Sequence, residues 1–210
     1  MTRFGTWIAL LGLLVACQNE THPVFTPVPS PSSHISTTDA ILQPAETPSD
    51  LSVCPGSGPI DVYISVLATR DMTVANRVSD QWAALVAGGA TSGAMVVYTA
   101  NTSACAAELG ATSGVKAITS FVARFPDESQ ADRAWNAGVF GFAPPPPGQL
   151  TPGLTLGTST GLGASSFTYE RPSVRLACWR HRFYVAMIVA SNLDLNTFRS
   201  ATAAVDARLN

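Results

Sequence analysis

Lysine is almost absent from this 210-residue sequence: Lys116 is the only one, and the other eleven basic residues are arginines. With no Gly-Lys-Ser/Thr segment, the chain cannot carry a P-loop for nucleotide phosphates. Charged residues make up only 12% of the chain, and the net charge is −2 at pH 7. A charge balance this close to zero predicts neither a nucleic-acid-binding surface nor a basic patch for anionic lipids.

Signatures of metal and redox chemistry are also missing. The sequence has three histidines and four cysteines, but no CxxC pair, no His/Cys set at zinc-ligand spacing and no EF-hand loop. These absences argue against a thiol redox catalyst and against structural zinc or calcium sites. We therefore expect no cofactor and no metal.

The N-terminus has the features of an export signal. Arg3 precedes a thirteen-residue uncharged run, residues 4–16, which ends in Leu14-Val15-Ala16-Cys17. A membrane-spanning helix needs about 20 apolar residues, so the run is too short to span. Its length and its basic start are typical of a signal peptide.

The end of this run resembles the lipobox of bacterial lipoproteins, in which two aliphatic or small residues and a Gly, Ala or Ser precede a cysteine. The resemblance implies cleavage before Cys17, a diacylglycerol on its thiol and, often, acylation of the new amine. Two or three acyl chains hold a protein stably at a membrane. The resemblance predicts a lipid-anchored protein on the extracytoplasmic side of the cell membrane. The alternative is an ordinary secretory signal with an incidental cysteine.

A tether is predicted to follow the signal peptide (residues 1–17). Residues 18–52 contain six prolines and eleven Ser/Thr among 35 residues, and Phe25 is the only aromatic one. So few core-forming residues cannot offset the entropy of ordering. A disordered tether of this length would reach roughly 30 Å.

Residues 53–210 are predicted to form a single α+β domain, with a mostly antiparallel sheet and helices packed on one face. Alternating or short apolar runs predict strands at 60–66, 94–98, 115–125, 165–169, 174–179 and 183–190. Helices are predicted after the N-caps Asp71, Asp127 and Asp194, with a brief one at 103–109. Residues 139–163, with four consecutive prolines and six glycines, predict a long irregular segment.

Three cysteines remain for the domain. Cys54 and Cys105 fall in predicted loop or cap positions, where an exposed thiol would oxidise outside the cytoplasm. Cys178 falls in an apolar strand, where cysteine behaves as a small buried hydrophobe. We predict a Cys54–Cys105 disulfide and a free Cys178; three free thiols are the alternative.

One motif offers catalysis. Gly157-Thr158-Ser159-Thr160-Gly161 matches the G-x-S-x-G pattern of serine hydrolases, with His181 downstream. That pattern works as a strained turn between a strand and a helix, whereas further glycines follow here at once. The sequence favours a glycine-rich loop and no catalytic residues, with a small envelope hydrolase using Ser159 and His181 as the alternative.

A ligand site is predicted where the irregular segment meets a basic hairpin. The turn between the last two strands is predicted at Arg180-His181, with Arg182 next to it, and Phe140 and Phe142 lie near the start of the segment. Together these five residues are the predicted contacts for a small-molecule or protein ligand. The alternatives are a solvated turn and phenylalanines that hold the segment to the core.

Residues 115–210 also resemble extracytoplasmic sensor-type domains of lipoproteins and of actinobacterial Ser/Thr kinases. The resemblance lies in Phe125-Pro126-Asp127-Glu128 leading to Trp135, in Gly161-Leu162-Gly163, and in Arg180-His181-Arg182-Phe183-Tyr184-Val185 before a closing helix. It implies a non-enzymatic binding or sensor-like domain with a small-molecule or protein ligand. A purely structural envelope protein is the remaining alternative.

Overall fold

An antiparallel sheet of eight strands organises the described part of the chain. The computed structural model describes residues 34–112, 114–146, 148–149 and 151–210. The strands are β1 (Ser52–Val53), β2 (Gly58–Pro59), β3 (Ser92–Thr99), β4 (Ala117–Arg124), β5 (Leu154–Leu156), β6 (Ser166–Glu170), β7 (Val174–His181) and β8 (Tyr184–Ser191). The helices are α1 (Thr37–Ala40), α2 (Ile60–Ala68), α3 (Met72–Ala87), α4 (Glu128–Ala137) and α5 (Leu195–Leu209). The predicted α+β class and antiparallel sheet are confirmed.

The long strands lie in the middle of the sheet and the short ones at its ends. The order is β1-β3-β4-β8-β7-β6-β5, and β2 also pairs with β3. Strands β4 and β8 pair over eight residues each, and all eight residues of β8 are buried. The three-residue strand β5 pairs with β6 and ends the order.

Helices cover both faces of this sheet, rather than the one face expected. On the first face, α2, α3 and α4 pack against residues such as Phe121 and Ala123 of β4. On the second, α1 and α5 pack against residues such as Ile118 and Val122 of the same strand. Because the central strands carry apolar side chains on both sides, both faces must be covered.

The domain begins before the predicted boundary at residue 53. Residues 34–51, which we call the strap, cross the second face instead of continuing the tether. Ile41 and Leu42 are buried, the Leu42 N–H donates to Ser120 Oγ at 3.2 Å, and Tyr98 donates to the Leu42 carbonyl at 3.2 Å. The Ser/Thr/Pro-rich composition hid this short apolar stretch. The predicted signal peptide and residues 18–33 of the tether lie outside the described residues.

Arg208 near the end of α5 fastens the strap. Its guanidinium donates to the carbonyls of Ala40 and Ile41, at 3.3 and 2.9 Å, and to the Glu46 carboxylate. Burial tends to raise the pKa of Glu46, but hydrogen bonds from Arg208 and the Gln43 N–H outweigh it, so the pKa lies below its usual value. The strap is thus held by a partly buried ion pair as well as by apolar contacts.

The predicted strand at 60–66 is wrong: these residues begin α2. Ile60, Tyr63 and Leu67 are buried at helical spacing, whereas Val62 is 50% exposed. An apolar residue at every second position fits a helix as well as a strand over only seven residues. The packing of these residues against α3 favours the helix. Gly93 of β3 allows α3 to lie close to the sheet, since a Cβ at this position would lie 2.8 Å from the Trp82 ring of α3.

The other predicted helices are confirmed, together with their N-caps. Asp71, Asp127 and Asp194 each accept hydrogen bonds from backbone N–H groups of the first turn, at 2.8–3.0 Å. The brief helix predicted at 103–109 is two 3₁₀ helices, Thr102–Ala106 and Glu108–Gly110. Asn101 caps the first of them, and its side chain accepts a hydrogen bond from the Ser103 N–H.

The segment 139–163 contains more regular structure than predicted. It includes β5 and a 3₁₀ helix, Gly157–Thr160. Gly153, with φ of +87°, lets the segment pass close to β6, since a Cβ there would lie 2.3 Å from the Glu170 carbonyl oxygen. This approach places the glycine-rich loop that follows beside the sheet.

Candidate functional site

The predicted Cys54–Cys105 disulfide is confirmed, with an S–S distance of 1.99 Å. It joins the residue after β1 to the 3₁₀ helix after β3, and the Cys54 N–H donates to Val97 of β3 at 2.7 Å. Cys178 is free and fully buried, also as predicted, and burial raises the pKa of its thiol. A buried neutral thiol is a poor nucleophile, so Cys178 is a core residue.

The basic hairpin turns two residues later than predicted. Strand β7 extends through His181, which pairs with Tyr184, so Arg182 and Phe183 form the turn. Arg182 is exposed and has a φ of +48°. Arg180 Nε lies 3.3 Å from an Asp132 carboxylate oxygen of α4. The Arg180 side chain therefore fastens β7 to α4 instead of extending freely into solvent.

The two phenylalanines of the predicted ligand site face the core. Phe140 is buried, and its ring packs edge-to-face on Phe121 with 4.6 Å between the centroids. Phe142 is half-buried against the same cluster and forms a β-bridge with Val139. The packing agrees with the alternative in which the phenylalanines hold the segment to the core, and burial removes Phe140 from the candidate ligand contacts. The Phe140 ring fastens the start of the segment to β4.

The Ser159 and His181 arrangement lacks the features of a hydrolase site. Ser159 is exposed on a 3₁₀ helix, and the left-handed backbone angles fall on Gly157 and Gly161. A nucleophile elbow needs the strained angle at the serine itself. Within the described residues, no carboxylate forms an ion pair with His181 to orient its ring.

An open groove of about 680 Å³ lies on the second face, between α5 and the strands β5 and β6. We call it the α5 groove. Its lining residues come from the two strands, the glycine-rich loop and one side of α5: Thr155, Ser159, Thr160, Gly161, Leu162, Thr168, Glu170, Phe198, Arg199, Thr202, Ala203, Asp206, Ala207 and Asn210. Its volume falls in the usual range of small-molecule sites.

Two threonines form the floor of the α5 groove. Thr155 and Thr168 are directly opposite each other in the β5–β6 pairing. Neither hydroxyl hydrogen-bonds to any residue that the structure describes, although most of Thr168 is buried. Because both side chains line the groove, their hydroxyls are available to hydrogen-bond to a molecule in it.

Hydroxyl groups also shape the glycine-rich loop at one wall. Ser166 Oγ donates to the Gly163 carbonyl at 2.6 Å and lies 2.6 Å from Thr160 Oγ1. Thr160 Oγ1 accepts from the Leu162 N–H at 3.0 Å. These bonds fix the loop on the first residue of β6. The residues that match the G-x-S-x-G pattern therefore form part of one wall of the groove.

Charged and polar side chains of α5 and of the end of β6 line the rest of the groove. Arg199 lies 3.5 Å from the Glu170 carboxylate, and the Asn210 side-chain amide donates to Asp206 Oδ2 at 3.0 Å. Thr202 uses its hydroxyl within the helix, donating to the Phe198 carbonyl at 2.8 Å. Two carboxylates against one guanidinium leave the groove mildly acidic.

Sequence reasoning did not identify this groove, although signals for it were present. Residues 166–170 alternate Ser-Phe-Thr-Tyr-Glu, with Phe167 and Tyr169 in the core of the first face. The polar alternate positions therefore had to face the other side. On α5, Arg199, Ala203 and Asp206 lie on one stripe beside the buried one.

A second hollow of about 640 Å³ lies on the first face, between the end of α3 and α4. Small residues dominate it, including Ala84, Gly88, Ala137 and Gly141. Its Gln130 amide already donates to Asp127 at 3.1 Å. Its lining contains no serine or threonine hydroxyl, in contrast to that of the α5 groove.

Comparisons with known proteins give no relative: no family, no curated protein and no solved structure matches the chain. Among the described residues, no group of three or more His, Cys, Asp or Glu side chains could hold a metal ion. In the same part of the chain, no helix has the length and apolar character to cross a membrane.

Proposed function

We propose that this protein is a lipid-anchored extracytoplasmic lipoprotein whose domain binds a small ligand in the α5 groove without transforming it. The observation that carries the binding role is the floor of the groove, where the Thr155 and Thr168 side chains line the open space and neither hydroxyl has a hydrogen-bond partner among the described residues. An unused hydrogen-bonding group in an open groove is typical of a ligand site.

Two features support the extracytoplasmic anchor. Leu14-Val15-Ala16-Cys17 has the lipobox pattern at the end of a signal-like run. The Cys54–Cys105 disulfide fits an oxidising compartment, because disulfides are rare in the cytoplasm. Neither feature depends on the other.

The lining of the groove favours binding over catalysis. It contains hydroxyls, two carboxylates and a guanidinium, but no histidine or cysteine. Ser159 therefore has no histidine within the lining to act as its general base, and a serine without an activating base is a weak nucleophile. The hydrolase alternative receives no support from the geometry of the described residues.

Lipid labelling tests the anchor. Cells that express the wild-type chain should incorporate a clickable palmitate analogue into it, and Cys17→Ser should abolish the label. Cys178→Ala is the matched control, because it removes a cysteine that the structure buries, and it should keep the label. A labelled Cys17→Ser protein would refute the anchor.

A groove-filling variant tests the binding site. Ligands for the purified mature protein would be selected from a small-molecule screen by their rise in melting temperature. Ala203→Trp places an indole in the α5 groove from an exposed position and should remove the shift. Ala83→Trp on α3, exposed on the other face, is the matched control. Retention of the shift by Ala203→Trp would refute the site.

A further inference from the structure

The hydrogen-bonding groups of the α5 groove indicate the chemistry of its ligand. Hydroxyls both donate and accept, so the floor threonines Thr155 and Thr168 complement groups that do the same. Around them, Asp206 offers carboxylate lone pairs, Asn210 an amide and Arg199 N–H donors. A ligand rich in hydroxyl groups matches this mixed set better than one with donors alone or acceptors alone.

Charge argues against an anionic ligand. Glu170 and Asp206 both line the groove, and the one arginine of the lining, Arg199, is already within 3.5 Å of Glu170. A phosphate or carboxylate would meet one unbalanced negative charge and would have to compete for that guanidinium. A cation would meet a single unpaired carboxylate, Asp206, and one oxygen of that carboxylate already accepts a hydrogen bond from the Asn210 amide at 3.0 Å.

The apolar part of the lining has no exposed ring. Among the described residues, Phe198 is the only aromatic one in the lining and is 1% exposed. Leu162, Ala203 and Ala207 offer aliphatic carbon in small patches. Sites for apolar ligands are lined mainly by hydrophobic and aromatic side chains, so this groove suits a polar ligand whose carbon skeleton makes brief apolar contacts.

We infer that the α5 groove binds a neutral saccharide of short-oligosaccharide size. The inference rests on the proposed function of that groove. Ring hydroxyls would pair with Thr155, Thr168 and Asp206, and the C–H faces of the sugar would lie on Leu162 and the alanines of α5. The source is either a free oligosaccharide or a segment of a larger glycan, since both present the same chemistry.

Calorimetric titration of the mature protein tests the ligand class with four probes: chitotriose, maltotriose, spermidine and inorganic phosphate. At least one trisaccharide should bind, and spermidine and phosphate should not. Retention on insoluble chitin or amylose separates the two sources: retention identifies a glycan segment, and binding of the trisaccharide alone identifies a free oligosaccharide.

Conservative variants place the binding in the groove. Thr168→Val keeps the side-chain shape, removes one hydroxyl and should lower the affinity for the trisaccharide by about five- to tenfold. Asp206→Asn should weaken it by about tenfold or more, because hydrogen bonds to charged groups are stronger. The controls Thr73→Val and Asp80→Asn change exposed residues of α3 and should leave the affinity unchanged.

The outcomes separate this inference from the proposed function. Binding of spermidine or phosphate, abolished by Ala203→Trp, with no binding of either trisaccharide or either polymer, would overturn the ligand class and keep the groove as a site. Trisaccharide binding that Ala203→Trp, Thr168→Val and Asp206→Asn all leave unchanged would overturn both. No binding by any probe or polymer would overturn the saccharide class, and the separate screen would then decide the groove.

Discussion

The two sides of strands β5 and β6 differ sharply, although the same two short strands form both. On the first face, Phe167 is buried and Leu154 and Tyr169 pack against the main core cluster. On the second face, Thr155, Thr168 and Glu170 line an open groove. Because side chains alternate along a strand, one short sequence encodes a core on one side and a site on the other.

The centre of the sheet has no such division. Strand β8 buries all eight residues, and its two sides contribute to different core clusters. Stability should therefore reside in the central strands and the first face, and binding at the β5–β6 end of the second face. The following substitutions test that separation, from the largest expected loss of stability to the smallest.

Loss of the disulfide should cost the most. Cys54→Ala/Cys105→Ala opens a link between residues 51 apart in sequence, for which chain entropy predicts a loss of about 4 kcal/mol in unfolding free energy. Urea denaturation of the double variant, compared with the wild type with and without reductant, measures it. A loss below about 1 kcal/mol would contradict the stabilising role given to the first face.

Phe140→Ala should be the next most damaging. The ring is buried on Phe121, so truncation should cost about 3 kcal/mol. Phe142→Ala, at a half-buried position, is the matched control and should cost less. Ligand affinity should be unchanged in both variants. If Phe140→Ala weakened binding beyond the effect of unfolding, the start of the segment 139–163 would belong to the ligand site.

Glu46→Gln should weaken the strap by about 1–2 kcal/mol at neutral pH, because it removes a charge-assisted pair with Arg208. The pKa of Glu46 is lowered in the folded state, so its stabilisation is present above the usual value of 4.5 and is lost as the pH falls through the folded pKa. Thermal melts between pH 3 and 7 should show that the variant loses part of this acid dependence. Asp80→Asn, an exposed substitution on α3, is the control and should keep it.

Thr168→Val should be nearly neutral for stability, within about 0.5 kcal/mol, because no described residue bonds to the hydroxyl. It should nevertheless lower the affinity for the ligand. Paired denaturation and titration of this variant check both statements. A large loss of stability would mean that the hydroxyl serves the fold, and the contrast between the two sides of β6 would fail.

Much of the fold follows from local signals in the sequence. Asp71, Asp127 and Asp194 are good N-caps followed by apolar residues at helical spacing, so three helices could be predicted with their first residues. The cysteine pairing also followed from the contrast between loop and strand positions. These features depend on neighbouring residues, which a single sequence displays directly.

The failures share a different cause. Residues 60–66 alternate over too short a window to distinguish a helix from a strand. Ala40-Ile41-Leu42 is too short an apolar run to predict that the strap packs on the sheet. The α5 groove depends on which part of the sheet α5 leaves uncovered. The alternation of residues 166–170 indicates a polar side of β6, but no local pattern shows that α5 leaves this side open, because that arises from the tertiary arrangement.

Ligand binding should occur in the α5 groove and not at the basic hairpin. Amide chemical-shift mapping of the mature protein with a ligand from the screen distinguishes the two places. The largest shifts should fall in residues 154–170 and 198–210, with little change at Phe142 and at Arg180–Arg182. Large shifts at the hairpin, with the groove residues unchanged, would contradict it.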